Sequence, residues 1–160
     1  MIATNLGLAV TAALGVALMA GLFFIFSNTI MRALATLPSV NAVAAMQAIN
    51  KQILNPIFLF VFFLTPFLCL VLLILEIFSA STNLILVAAT ACHLGGAFLV
   101  TLSKNVPMNN QLASLNPTDS QTADYWQTYR RRWTFWNHIR TLSCLLSLLG
   151  FLLALLLNHW

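Results

Sequence analysis

The chain has 160 residues, of which 61% are hydrophobic and only 6% charged, with seven Lys or Arg against three Asp or Glu. Soluble domains carry about 25% charged residues, so a water-soluble globular protein is excluded and a single membrane domain, residues 1–160, is expected. The pI of about 9.4 and mean hydropathy of +0.93 then describe a protein facing lipid headgroups, with nothing to suggest nucleic acid.

Four apolar runs, at about 6–27, 57–78, 84–103 and 134–157, each approach the ~20 residues that cross a bilayer as a helix. The first, NLGLAVTAALGVALMAGLFFIF, exceeds the ~7–15 residues of a signal-peptide core, and no Lys or Arg precedes it. It reads as a retained span. Its Gly7, Thr11, Gly15, Gly21 and Asn28 fall on one side, a small-residue stripe suited to helix packing.

Segment 28–56 joins spans 1 and 2. After Pro38, SVNAVAAMQAINKQILN carries Val40, Val43, Met46, Ile49 and Ile53 at helical spacing. This predicts an amphipathic helix lying at the cytoplasmic interface. Asn55-Pro56 ends it and opens span 2, which Pro66 is expected to kink. The short SASTN turn makes spans 2 and 3 a hairpin. Segment 105–133 is turn-rich around Pro107 and Pro117 and then regains helical character. Its Tyr125, Trp126, Tyr129 and Trp133, with Trp136, predict an aromatic belt at headgroup level.

The predicted fold is thus all-α, a four-helix transmembrane bundle. All seven basic residues belong to the connections after spans 1 and 3 or border them. The positive-inside rule makes those connections cytoplasmic and both termini external, in a multi-pass plasma- or inner-membrane protein. Cys69, Cys92 and Cys144 lie within spans without CxxC spacing, so they read as small apolar side chains.

The polar residues carry the functional signal, because amides and charges are expensive in hydrocarbon and rarely sit there without a role. Trp133, Asn137, Thr141 and Cys144 share one face of span 4, with Arg140 at its edge. Asn28, Asn55, Asn105, Asn109, Asn110, Asn137, His138 and Arg140 all belong to the basic end. They predict a polar vestibule opening to the cytoplasm. His93, about 16 Å along the helix from Lys104, lies deeper, beside Gly95 and Gly96. It suits a general base, a metal ligand or a haem ligand. No HxxxH or ExxH pair supports a well-built metal site, and the terminal His159 reads as interfacial.

His93, NVPMNN at 105–110, Trp126 and WNHIRT at 136–141, with FSN at 26–28 and Asn55-Pro56, resemble the anthrone oxygenase-like family of small four-span membrane proteins, also catalogued as a domain of unknown function. The likeness covers nearly the whole chain. Fungal members are tied to oxidation of anthrones to anthraquinones. The resemblance implies a cofactor-independent monooxygenase acting on a flat, apolar aromatic or quinol-type substrate. His93 or His138 would be the base, and Asn137 and Arg140 would stabilise the oxyanion. Asn28, Asn55, Asn105, Asn109, Trp133 and Thr141 would contact substrate. Arg140 is expected to find acceptors around Asn105–Asn110 and so clamp NVPMNN as a lid. No GxGxxG points to a nucleotide cofactor. Haem or a metal ion on His93 or His138 stays open. So do a non-catalytic small-molecule binder, a transport or assembly subunit, a quinone-binding redox protein and a homo-oligomer.

Overall fold

The computed structural model describes residues 2–157, so the expectation for His159 lies outside the described residues. Every regular element among them is helical, the form in which a single span satisfies its backbone groups in hydrocarbon. In order they are α1 (Ile2–Ile25), a π-helical segment (Phe26–Ile30), α2 (Met31–Leu34), α3 (Ser39–Gln52), α4 (Pro56–Ile77) and α5 (Leu84–Cys92). Two more π-helical segments (His93–Leu99 and Thr101–Asn105) lead into α6 (Val106–Ala113), and α7 (Ser120–Leu156) ends the described chain. Four helical rods are long and apolar enough to cross a membrane: Leu6–Leu34, Pro56–Ile77, Leu84–Ala113 and Ser120–Leu156. α7 packs between α1 and α5, and α4 closes the ring against both. Consecutive spans are therefore neighbours, as short antiparallel connections favour.

Three rods run well past the apolar segments expected from sequence. α7 alone has 37 residues, about 55 Å against a hydrocarbon core of about 30 Å. Residues 120–133 contain no Gly or Pro to stop that helix, and Pro107 sits in the first turn of α6, where it is tolerated. The extensions have something to pack on. One core holds Ala9, Ala12, Val16 and Phe23 of α1 against Cys69, Leu72, Leu86, Cys144 and Phe151. A second, at the basic end, gathers Phe26, Met31, Val43, Met46, Leu112, Trp126, Tyr129 and Trp133.

This second core revises three expectations. The aromatic residues of 125–133 are not mainly a belt, because Trp126 and Tyr129 are fully buried and stacked with centroids 5.6 Å apart. The helix expected at 39–53 forms, yet it buries Ala42, Val43 and Met46 and leaves Val40 exposed. Gln47 fastens it by donating from Nε2 to the carbonyls of Leu112 and Leu115, both at 2.9 Å. On span 1 the packed face is Ala9, Ala12, Ala13, Val16, Ala20 and Phe23, while Gly7 and Gly21 face open space. Gly15 does pack: a Cβ there would lie 2.1 Å from Thr65 Oγ1. α4 continues as helix through Pro66.

The far end of the bundle is closed by its own polar residues. Asn83 caps α5, its Oδ1 accepting from the amides of Ile85 and Leu86, while its own amide donates to Glu76 Oε2 at 2.7 Å.

Candidate functional site

Where the two cores meet, the wall between α1, α4 and the π-helical run of span 3 does not fill. A cavity of about 180 Å³ remains, with Phe23, Phe26, Phe58, Phe62 and Trp133 as its aromatic lining. That volume exceeds the ~150 Å³ that accommodates a benzene ring. Flat rings suit aromatic walls through offset-stacked and edge-to-face contacts. The half-exposed Leu54, Phe63 and Leu102 form its mouth. An apolar groove along the outside of α4 shares Leu59 and Phe63 with the cavity, so the mouth opens toward lipid.

Four polar side chains reach the cavity beside the Trp133 indole: Asn50, Thr101, Asn109 and Arg140. Arg140 is the charged one. Only 5% exposed, its guanidinium lies 4.2 Å from the Phe23 ring centroid and 5.1 Å from that of Trp133. Nη1 donates to Thr101 Oγ1 at 3.2 Å and Nη2 to Asn137 Oδ1 at 2.5 Å. Nε has no hydrogen-bond partner. Asn137, itself fully buried, is fixed by Nδ2 donating to the Phe23 carbonyl at 2.7 Å and to Ser27 Oγ at 2.6 Å. Thr101 in turn donates to the Ala97 carbonyl at 2.8 Å, and Thr141 to the Asn137 carbonyl at 2.9 Å.

No carboxylate of the chain can balance this charge. Asp124 sits about 24 Å away along α7, and Asp119 precedes that helix. Glu76 lies about 27 Å along α4 from Phe58 of the cavity wall, bonded to the Asn83 amide. The guanidinium is held by neutral oxygens and two ring faces. Each ring face contributes about 0.5–2 kcal/mol, against several kcal/mol for desolvating the ion. Such a group is set for an anion or a developing oxyanion.

The sequence-predicted residues divide. Arg140, Asn109 and Trp133 line the cavity, and Asn137 and Thr141 stand directly behind it. Asn105, 1% exposed, donates to the Trp133 carbonyl at 3.3 Å, with its Oδ1 unpartnered. Asn28 is exposed. Asn55 is also exposed and caps α4, accepting from the Phe58 amide at 3.0 Å. His138 lies in a separate outer groove. His93 is buried, its Nδ1 3.8 Å from Cys144 Sγ, in a crevice that Phe23 and Phe62 divide from the main cavity. The expected clamp of Arg140 on NVPMNN does not form. Trp133 makes that link instead, with Nε1 donating to Asn109 Oδ1 at 2.8 Å, an oxygen that also accepts from the Tyr129 hydroxyl at 2.8 Å.

Sequence reading missed Phe23, Phe58, Phe62, Asn50 and Thr101 as cavity wall. The phenylalanines are indistinguishable from lipid-facing ones in so apolar a chain. Thr101 reaches Arg140 only because the two π-helical segments shift its register, and such an insertion leaves no sequence mark.

Among the described residues no group of three or more His, Cys, Asp or Glu is gathered to hold a metal ion. A family model described as anthrone oxygenase matches residues 54–150. That range runs from the opening of α4 through most of α7 and contains Thr101, Asn109, Trp133, Asn137 and Arg140. No curated protein and no solved structure matches the chain.

Proposed function

The chain belongs to the anthrone oxygenase family, and from that premise we propose that it oxidises a flat, membrane-dissolved aromatic ketone bearing an acidic CH2 group to the quinone, using dioxygen. The observation that carries this reading is Arg140: a buried cation without a counter-ion, on the wall of an aromatic cavity whose mouth meets lipid. Losing one CH2 proton turns the ketone into an enolate. Arg140 stabilises its oxygen by charge and through the unpartnered Nε–H, the electrostatic assistance that most lowers barriers of this kind. The electron-rich ring carbon then bonds to dioxygen, and the peroxide formed takes back a proton. Loss of the second hydrogen with O–O cleavage leaves C=O and one water. The CH2 carbon supplies all four electrons that dioxygen accepts, so the balance needs no further reductant and we propose no redox cofactor.

Neither His93 nor His138 lines the cavity. Water at the mouth takes the proton, and Arg140 does its work by holding the anion. Phe23, Phe58, Phe62 and Trp133 orient the ring system and keep bulk water from the enolate. Asn137 and Thr101 are positioning residues that fix the guanidinium.

The test is turnover of a hydroxylated anthrone by purified protein in lipid nanodiscs. Quinone absorbance should rise faster than with empty nanodiscs, with one dioxygen consumed per quinone. Labelled dioxygen should place one label in the product and one in water. Turnover no faster than in empty nanodiscs overturns the proposal.

The same reading sets the basic end in the cytoplasm, supported by Arg32, Lys51, Lys104 and Arg130–Arg132 lying in the parts of the chain that build or flank the second core. Reporter fusions at residue 80 and at the C-terminus should then both read external. A cytoplasmic signal from either refutes this orientation.

A further inference from the structure

A second concave surface, remote from the oxidation chemistry, lies between α7 and the rod formed by α1, its π-helical segment and α2. This groove encloses about 390 Å³, and Arg32, Arg130, Arg131 and His138 line it together with Met31 and Phe135. No carboxylate is among its lining residues. Arg130 gives one Nη2 donor to Gln127 Oε1 at 3.1 Å, a neutral partner that leaves its charge uncompensated.

The height of the groove on the bundle is informative. Arg130 lies about 39 Å along α7 from Leu156, where the apolar part of that helix ends. With about 30 Å of hydrocarbon measured from that end, Arg130 and Arg131 fall about 7–9 Å beyond the acyl region, within the headgroup layer. Phe135 is 56% exposed one turn deeper, where an acyl chain runs, while Met31 is buried in the groove floor. Cationic heads above an exposed aromatic ring match a molecule that is anionic at one end and apolar at the other.

We infer that this groove binds one anionic phospholipid, its phosphate between Arg32, Arg130 and Arg131 and a chain along Phe135. A zwitterionic lipid carries its own ammonium and would meet three guanidiniums with no net charge to offer. Arginine forks suit phosphate oxygens better than lysine does. The inference does not depend on the proposed reaction, since Arg140 and its cavity take no part.

The experiment is native mass spectrometry of the full chain released from phosphatidylcholine nanodiscs containing a minor fraction of phosphatidylglycerol. Wild-type protein should retain phosphatidylglycerol selectively. The groove variant Arg32→Gln/Arg130→Gln/Arg131→Gln should retain at least about ten-fold less. The control Lys51→Gln/Lys104→Gln/Arg132→Gln removes the same charge from exposed positions outside the groove and should stay within two-fold of wild type. Equal losses in both variants overturn the inference, because general surface potential then explains the retention. Displacement of the lipid by inorganic phosphate at equal concentration also overturns it, since the site would then be one for a free anion. Should the triple variant not fold, Arg32→Gln and Arg131→Gln are measured singly. Each should lose about three-fold, and unchanged retention in both refutes the site.

Discussion

Replacing Arg140 with methionine is expected to leave the protein folded and to lower kcat/KM for anthrone oxidation by about 10²–10³-fold, the effect of removing one oxyanion donor. The fold should survive because the guanidinium is an unbalanced ion between Phe23 and Trp133, and a well-packed apolar isostere removes its desolvation penalty. Arg140→Lys is the sharper comparison. The ammonium is a point charge and cannot hold Thr101 and Asn137 while presenting a third donor to the cavity in a fixed plane. Lysine should therefore fall close to methionine in turnover. Steady-state rates with a thermal melt for each variant decide the matter. A fully active lysine variant would reduce Arg140 to an anchor and end the proposed mechanism.

Asn137→Asp should separate charge from shape. The new carboxylate would sit where Asn137 Oδ1 now accepts from Nη2, giving Arg140 the counter-ion the native chain withholds. Ser27 can still donate to it, while the bond to the Phe23 carbonyl is lost, a change of about 1 kcal/mol. The melting temperature should thus stay within a few degrees of wild type. Turnover should nonetheless fall about 100-fold, because a neutralised guanidinium no longer favours the enolate over the neutral ketone. The same variant should lose affinity for anionic inhibitors while keeping it for neutral aromatic ones. Equal loss of both kinds of ligand would show that Asn137 shapes the cavity and does not tune its charge.

Much of the architecture could be read from residue order, because hydropathy reports directly on the solvent each segment meets. The four runs, the helix opening after Pro38 and the cap at Asn55 all follow from local chemistry. The polar end of span 4 was legible for the same reason: Asn137 and Arg140 stand out against LSCLLSLLG. What depends on rotation about a helix axis was not. Asn28 and His138 carry the same chemical label as Asn137 yet point elsewhere, and one residue of register separates the two outcomes. His93 looked central by depth, but depth says nothing of the Phe23 and Phe62 rings that close it off. The aromatic cluster at 126–133 was read as a belt because sequence cannot show that α3 folds back to cover it.

The two π-helical segments between His93 and Asn105 carry one further consequence. Each holds one residue more per turn than its surroundings would if the helix were regular. Deleting a single residue there would restore ordinary helical bonding and swing everything that follows by about 100°. Thr101 would leave Arg140, and Asn105 would leave the Trp133 carbonyl. The spacing of this stretch is thus inherited as strictly as any side chain. Among descendants of this gene, substitutions in LGGAFLVTLSK should be far commoner than gaps.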